Sequence, residues 1–195
     1  MTKAERTKQF IIEKSAPIFN TKGVAGTAMS DIMEATKLAK GSLYVHFESK
    51  EELSYAAVDY NLNSLAEKIM ATIGKHKTAK SKLFALINFL ADPLNPPIVG
   101  GCPMLNFGME ADDTNPIIKH KVNKLILTAR QVIETIAQQG ITEGEFKNSW
   151  KTKEFAIKAF AMIEGGILIS RMSDSTDQMK VIVKMLKKEI EDQGI

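Results

Sequence analysis

The residues of this chain best suited to chemistry are hydrogen-bond donors and small side chains gathered in one stretch, TAMSDIMEATKLAKGSLYVHFESK at 27–50. They suit recognition of an anionic polymer rather than bond-making. Tyr44 and His46 carry donors and Lys50 a cation. Thr27 stands at an expected helix start, where free amide hydrogens favour an anion. Groups of this kind fit phosphates, which fix a register but carry no sequence information. Among them lie Lys40, Ser42 and Val45, placed to approach base edges, with Val45 offering an apolar face to a thymine methyl. No second constellation competes. The chain has no glycine-rich phosphate loop, metal-ligand spacing or nucleophile motif. Asp112, Asp113 and His120 read as a loop and a helix start, and no metal, cofactor or enzymatic activity is expected.

Cys102 is the chain's single cysteine, so no internal disulfide is available and a reducing compartment suits the chain. It follows Gly100 and Gly101 and opens a helix, a setting that stabilises a thiolate. It therefore reads in two ways, as a buried inert thiol or as a redox or electrophile sensor.

The elements that must position these groups are all helices, about nine of them, with no hairpin dipeptide and no strand–helix alternation. The first is expected over Lys3–Lys22, with Phe10, Ile11, Ser15, Ile18 and Phe19 inward, a bend at Pro17 and Gly23 as its cap. With Thr27 as N-cap, a short helix covers Ala28–Ala35. A turn leads to a third over Lys40–Phe47, and Met29, Ile32, Met33, Leu38 and Leu43 pack inward. Two short helices so joined can hold the second against DNA, with the first as a brace. Ser49 and Glu52 have capping-box spacing and open a long helix over Lys50–Gly74. Further helices follow over Ala79–Ala91, Cys102–Ala111, Pro116–Gln139 (stopped by Gly140), Ser149–Met172 and Thr176–Gln193. The Pro/Gly-rich stretch 92–101 separates the fifth from the sixth.

Composition agrees with a folded chain that meets nucleic acid at one end. Of 195 residues 44% are hydrophobic and 25% charged, with a net charge of +3. Residues 1–50 hold eight Lys or Arg against five Asp or Glu, while the rest hold eighteen of each, so the whole excess lies in the first quarter. There is no signal-peptide pattern and no bilayer-length apolar run, and a cytoplasmic location without membrane association is expected.

Residues 7–53 resemble the DNA-binding domain of the TetR family. The succession Phe19, Gly23, Thr27, Ile32, Gly41, Leu43, Tyr44, His46, Phe47, Lys50 and Leu53 carries that likeness. The resemblance implies a three-helix DNA-binding domain over residues 1–50, with the fourth helix linking it to a ligand-sensing and dimerisation domain over 51–195. It implies phosphate contacts at Thr27, Tyr44, His46 and Lys50, and base contacts at Lys40, Gly41, Ser42 and Val45. Where the family usually has a glycine and a small residue after the second helix, this chain has Lys37 and Leu38, and Lys37 becomes a further phosphate candidate. GGCPMLNFGMEADD resembles a subgroup in which a Gly-Cys pair opens the sixth helix, followed by an Asn and an acidic residue, here Gly101, Cys102, Asn106 and Glu110.

The resemblance implies a repressor, acting as a homodimer on a palindromic double-stranded operator. It is released by an unidentified small molecule or by modification of Cys102. Candidate pocket residues are Phe89, Cys102, Met104, Phe107, Met109, Trp150, Phe155 and Phe160, most of them expected to serve as core. The last two helices are apolar on more than one face, which calls for a second copy. The dimer candidates are Phe160, Ile163, Gly165, Gly166, Ile167, Ile182, Val183 and Leu186.

Overall fold

A computed structural model describes residues 1–195. Nine α-helices and no strand make up the chain: α1 (Lys3–Gly26), α2 (Met29–Thr36), α3 (Lys40–Tyr44), α4 (Lys50–Ile73), α5 (Ala79–Phe89), α6 (Pro103–Ala111), α7 (Pro116–Thr142), α8 (Thr152–Ser173) and α9 (Asp177–Asp192). No helix is long and apolar enough to cross a membrane. The chain folds into two compact units, one of Met1–Leu65 with Ile98–Lys124 and one of Ala66–Pro97 with Leu125–Ile195.

In the first unit, α1 is nucleated by a capping box at its very start. Thr2 Oγ1 accepts from the Glu5 amide, and the Glu5 carboxylate accepts from the Thr2 amide at 2.7 Å. Its inward stripe is Ile11, Ser15, Ala16, Phe19 and Asn20. Phe10, expected inward, is exposed instead, because it sits one position off that stripe. The backbone stays helical through Pro17, and the departure falls at Gly23 (φ 78°, ψ 168°). That conformation is open to glycine and strained for L side chains. Helix α2 is capped from Asp31, whose carboxylate accepts from the Ala28 amide at 2.9 Å and from Lys22 Nζ at 2.8 Å. Lys37 ends α2 in the left-handed region (φ 56°). At α4, Ser49 Oγ accepts from the Glu52 amide as expected, but the Glu52 carboxylate reaches the Glu48 amide, one residue before the cap.

The second unit is built on α8 against α9, with α5 against α9. Gly166 makes the α8–α9 approach possible, since a Cβ there would lie 2.8 Å from Ile182 Cδ1 and 2.9 Å from Met179 Cε. Gly140, expected to stop α7, lies inside it. A Cβ at that position would meet the Phe146 ring at 2.3 Å and Ala79 at 2.7 Å. This glycine serves close packing, and the turn comes at Gly144 (φ 77°). Phe146, Trp150 and Phe155 then form an aromatic core with successive ring centroids 4.8 Å apart.

Candidate nucleic-acid interface

The short helix α3 owes its position to two buried anchors, Leu43 at 1% exposure and Phe47 at 3%. With these turned inward, the helical repeat turns the intervening residues outward. Lys40, Gly41 and Ser42 are exposed, Tyr44 is 42% exposed and Val45 79%. A Cβ added at Gly41 would meet nothing within 4 Å, so backbone can approach a ligand closely there. Lys40 Nζ lies 5.9 Å from the centre of the Tyr44 ring. His46 is half-buried and Lys37 exposed at the end of α2. Lys37 at the end of α2 and Lys40, Gly41, Ser42, Tyr44, Val45 and His46 on and just after α3 are thus all at least partly open to solvent.

Two residues assigned to phosphate from sequence have other work. Thr27 is 1% exposed, and its hydroxyl donates to the Gly23 carbonyl at 2.6 Å. It closes the α1–α2 corner, and the N-cap of α2 is Ala28. Lys50 Nζ donates to the Val24 and Thr27 carbonyls, each at 2.9 Å. Its ammonium satisfies backbone oxygens at the α1–α2 corner that have no helical partner because α1 ends at Gly26. Both residues therefore shape the support behind α3.

A brace helix, a left-handed corner and a short exposed helix are the geometry of a helix-turn-helix. Residues 11–57 match the family described as bacterial regulatory proteins, tetR family. Residues 79–186 match the tetracyclin repressor-like C-terminal domain. The chain belongs to the TetR family. A TetR-family transcriptional regulator from Cytophaga hutchinsonii has a solved structure that is 36% identical, superposes with a TM-score of 0.93, and covers 100% of this chain and 98% of its own. The HTH-type transcriptional repressor DhaR of Mycobacterium sp. strain GP1 is 24% identical over 90% of this chain and 89% of that protein. Escherichia coli NemR in its reduced form shares the fold at 15% identity, with a TM-score of 0.83 over 94% of this chain and 96% of its own. TetR-family proteins are helix-turn-helix transcriptional regulators and not enzymes; they bind DNA operators, act as dimers and bind small-molecule effectors.

In this TetR-family chain the eight pocket candidates fall in both units. Cys102, Met104 and Phe107 are buried in the first, whereas Met109 is 77% exposed on the outer side of α6. Phe107 lines a cleft of about 270 Å³ with Val24, Ala25, Lys50, Glu110 and Ile118. In the second unit, Phe89 lines an open groove with His76, Phe84 and Asn88. Trp150 and Phe155 belong to the aromatic core, and Phe160 is half-buried.

The dimer candidates also divide. Ile163, Gly166, Ile167 and Leu186 are buried within the single chain, and Gly166 meets α9 of its own chain. Phe160, Gly165, Ile182 and Val183 are half-buried, and a Cβ on Gly165 would meet nothing within 4 Å. The apolar side chains left uncovered on these helices are Ile157, Leu168, Ile169 and Met172 of α8 and Val181 and Met185 of α9.

Proposed function

We propose that this protein is a repressor that holds a palindromic operator as a homodimer and releases it when a small molecule binds or Cys102 is modified. The observation that carries the reading is the surface of α3, where anchors at Leu43 and Phe47 present Lys40, Ser42, Tyr44 and Val45 outward. In a major groove, Lys40 and Ser42 donate to base edges, Gly41 admits the backbone and Val45 meets a thymine methyl. Tyr44, His46 and Lys37 hold phosphates on either side. A two-fold dimer puts two such helices about one turn of DNA apart, which is why the site is palindromic. The dimer face we assign is Ile157, Gly165, Leu168 and Met172 of α8 with Val181 and Met185 of α9.

Cys102 is buried at the N-cap of α6. The helix N-terminus favours its thiolate, and an adduct there strains the first turn of α6. The cytoplasm suits both the thiol and the DNA. The test is selection of bound genomic fragments by the purified protein at near-physiological salt, because nonspecific binding weakens steeply with salt. A recovered palindrome is expected, and failure to enrich any site under strong reductant would overturn the reading. Cys102→Ser should bind the same fragments and no longer respond to N-ethylmaleimide. An unchanged response removes the cysteine arm and leaves the small-molecule one.

A further inference from the structure

The break at Gly23 leaves specific backbone groups without their helical partners. In an unbroken helix the Val24 amide would donate to the Asn20 carbonyl and the Ala25 amide to the next carbonyl along. Instead, Asn106 Nδ2 donates to the Asn20 carbonyl at 2.9 Å. The Glu110 carboxylate accepts from the Val24 amide at 2.8 Å and from the Ala25 amide at 2.7 Å. Asn106 and Glu110 are four residues apart, so they stand one above the other on a single face of α6. That face supplies both halves of the interrupted hydrogen bond, the donor to the orphaned carbonyl and the acceptor for the orphaned amides. Further lacing ties the same helices. Asn20 Nδ2 donates to the Val99 and Gly101 carbonyls at 2.7 and 3.1 Å, in the loop that leads into α6. A Cβ on Gly23 would lie 2.8 Å from Glu110 Oε2, so the carboxylate occupies the space that only a glycine leaves.

We infer that Glu110, seated by Asn106, is the positioning residue that sets the angle between α1 and the helix-turn-helix, and so couples α6 to operator affinity. This rests on the reading of the protein as an operator-binding regulator. A carboxylate holding two amides is a directional, charge-assisted pair. A small slide of α6 unpairs both at once, and the corner at residues 23–27 is then held by Lys50 and by the Thr27 hydroxyl on the Gly23 carbonyl, with its two amides left unpaired. Because α3 follows that corner through α2, its presentation to DNA loosens and only a fraction of molecules remains binding-competent.

The test is Glu110→Gln, which keeps the shape and replaces one acceptor oxygen by a donor facing an amide hydrogen. Two measurements are made on the full chain: affinity for a palindrome recovered by genomic selection, and amide hydrogen exchange without DNA. The expected result is operator binding weakened at least about tenfold, with exchange at least about tenfold faster in residues 24–46 and unchanged in α8 and α9. Wild-type affinity in the variant would overturn the inference, whether or not exchange changes. So would faster exchange spread evenly over all nine helices, which marks Glu110 as general structural support. If the wild-type chain recovers no DNA, the regulator reading falls, and the exchange measurement alone decides whether α6 governs the corner.

Discussion

Lys37 holds a backbone conformation that costs folding energy. It ends α2 at φ 56°, a region where a Cβ crowds the following carbonyl at a cost of roughly 1–2 kcal/mol. Glycine avoids that crowding but loses more chain entropy. Lys37→Gly should therefore raise the unfolding free energy by roughly 0.5–1 kcal/mol, read by urea denaturation. If the ammonium meets phosphate, the same variant flattens the salt dependence of operator binding, by roughly 0.9 in log–log slope for each phosphate it leaves unneutralised. More stable protein with an unaltered slope would remove Lys37 from the interface. Side-chain roles are unevenly legible in the sequence. The outward position of Val45 follows from helical spacing, which places it opposite Leu43 and Phe47, whereas Lys40 and Tyr44 fall beside those anchors by spacing and their exposure is read only from the structure. The roles of Lys50 and Thr27 do not follow from spacing, because their partners are backbone atoms of the α1–α2 corner; Gly23 marks that corner in the sequence, but nothing local shows which side chains fold back onto it.

At the scale of elements, α2 and α4 both begin on a carboxylate. The Lys22 ammonium beside Asp31, helped by the Ala28 amide, holds its carboxyl below the ordinary value of 3.8. The Glu48 amide, helped by Lys8, does the same for Glu52 against its ordinary 4.5. A carboxyl with a depressed folded-state pKa lends its stabilisation fully above the unfolded value and loses it as pH falls through the folded one. The N-termini of α2 and α4 should therefore hold at mildly acidic pH and fray only below the ordinary carboxylate range. The amide shifts of Ala28 and Glu48, followed against pH, report this directly, and midpoints at or above the ordinary values would refute it. Helix number and order are legible, since hydrophobic spacing and Pro or Gly punctuation mark each element. Their ends are less so. Gly140 reads as a stop because glycine usually is one, whereas Phe146, six residues on, folds back over it and demands the missing Cβ.

Two copies of this molecule should meet through the uncovered apolar face of α8 and α9. Leu168→Glu together with Val181→Lys should give a monomer by sedimentation, with far-ultraviolet circular dichroism unchanged and operator affinity lost, because both side chains are already exposed. Leu186→Glu, at a fully buried position, should unfold the chain instead; a folded Leu186→Glu monomer would return the interface to the buried set. Sequence can place the apolar helices but not sort their faces, since the inner seam and the outer surface share one composition. The compact unit that carries α3 takes in residues 98–124 as well as the first 65. A chimera made by a single cut after residue 50 or 65, fusing this N-terminus to a foreign body, would leave Asn106 and Glu110 behind. The graftable reader is a two-segment piece, and an engineer who wants its operator preference in another regulator has to transplant α6 along with it.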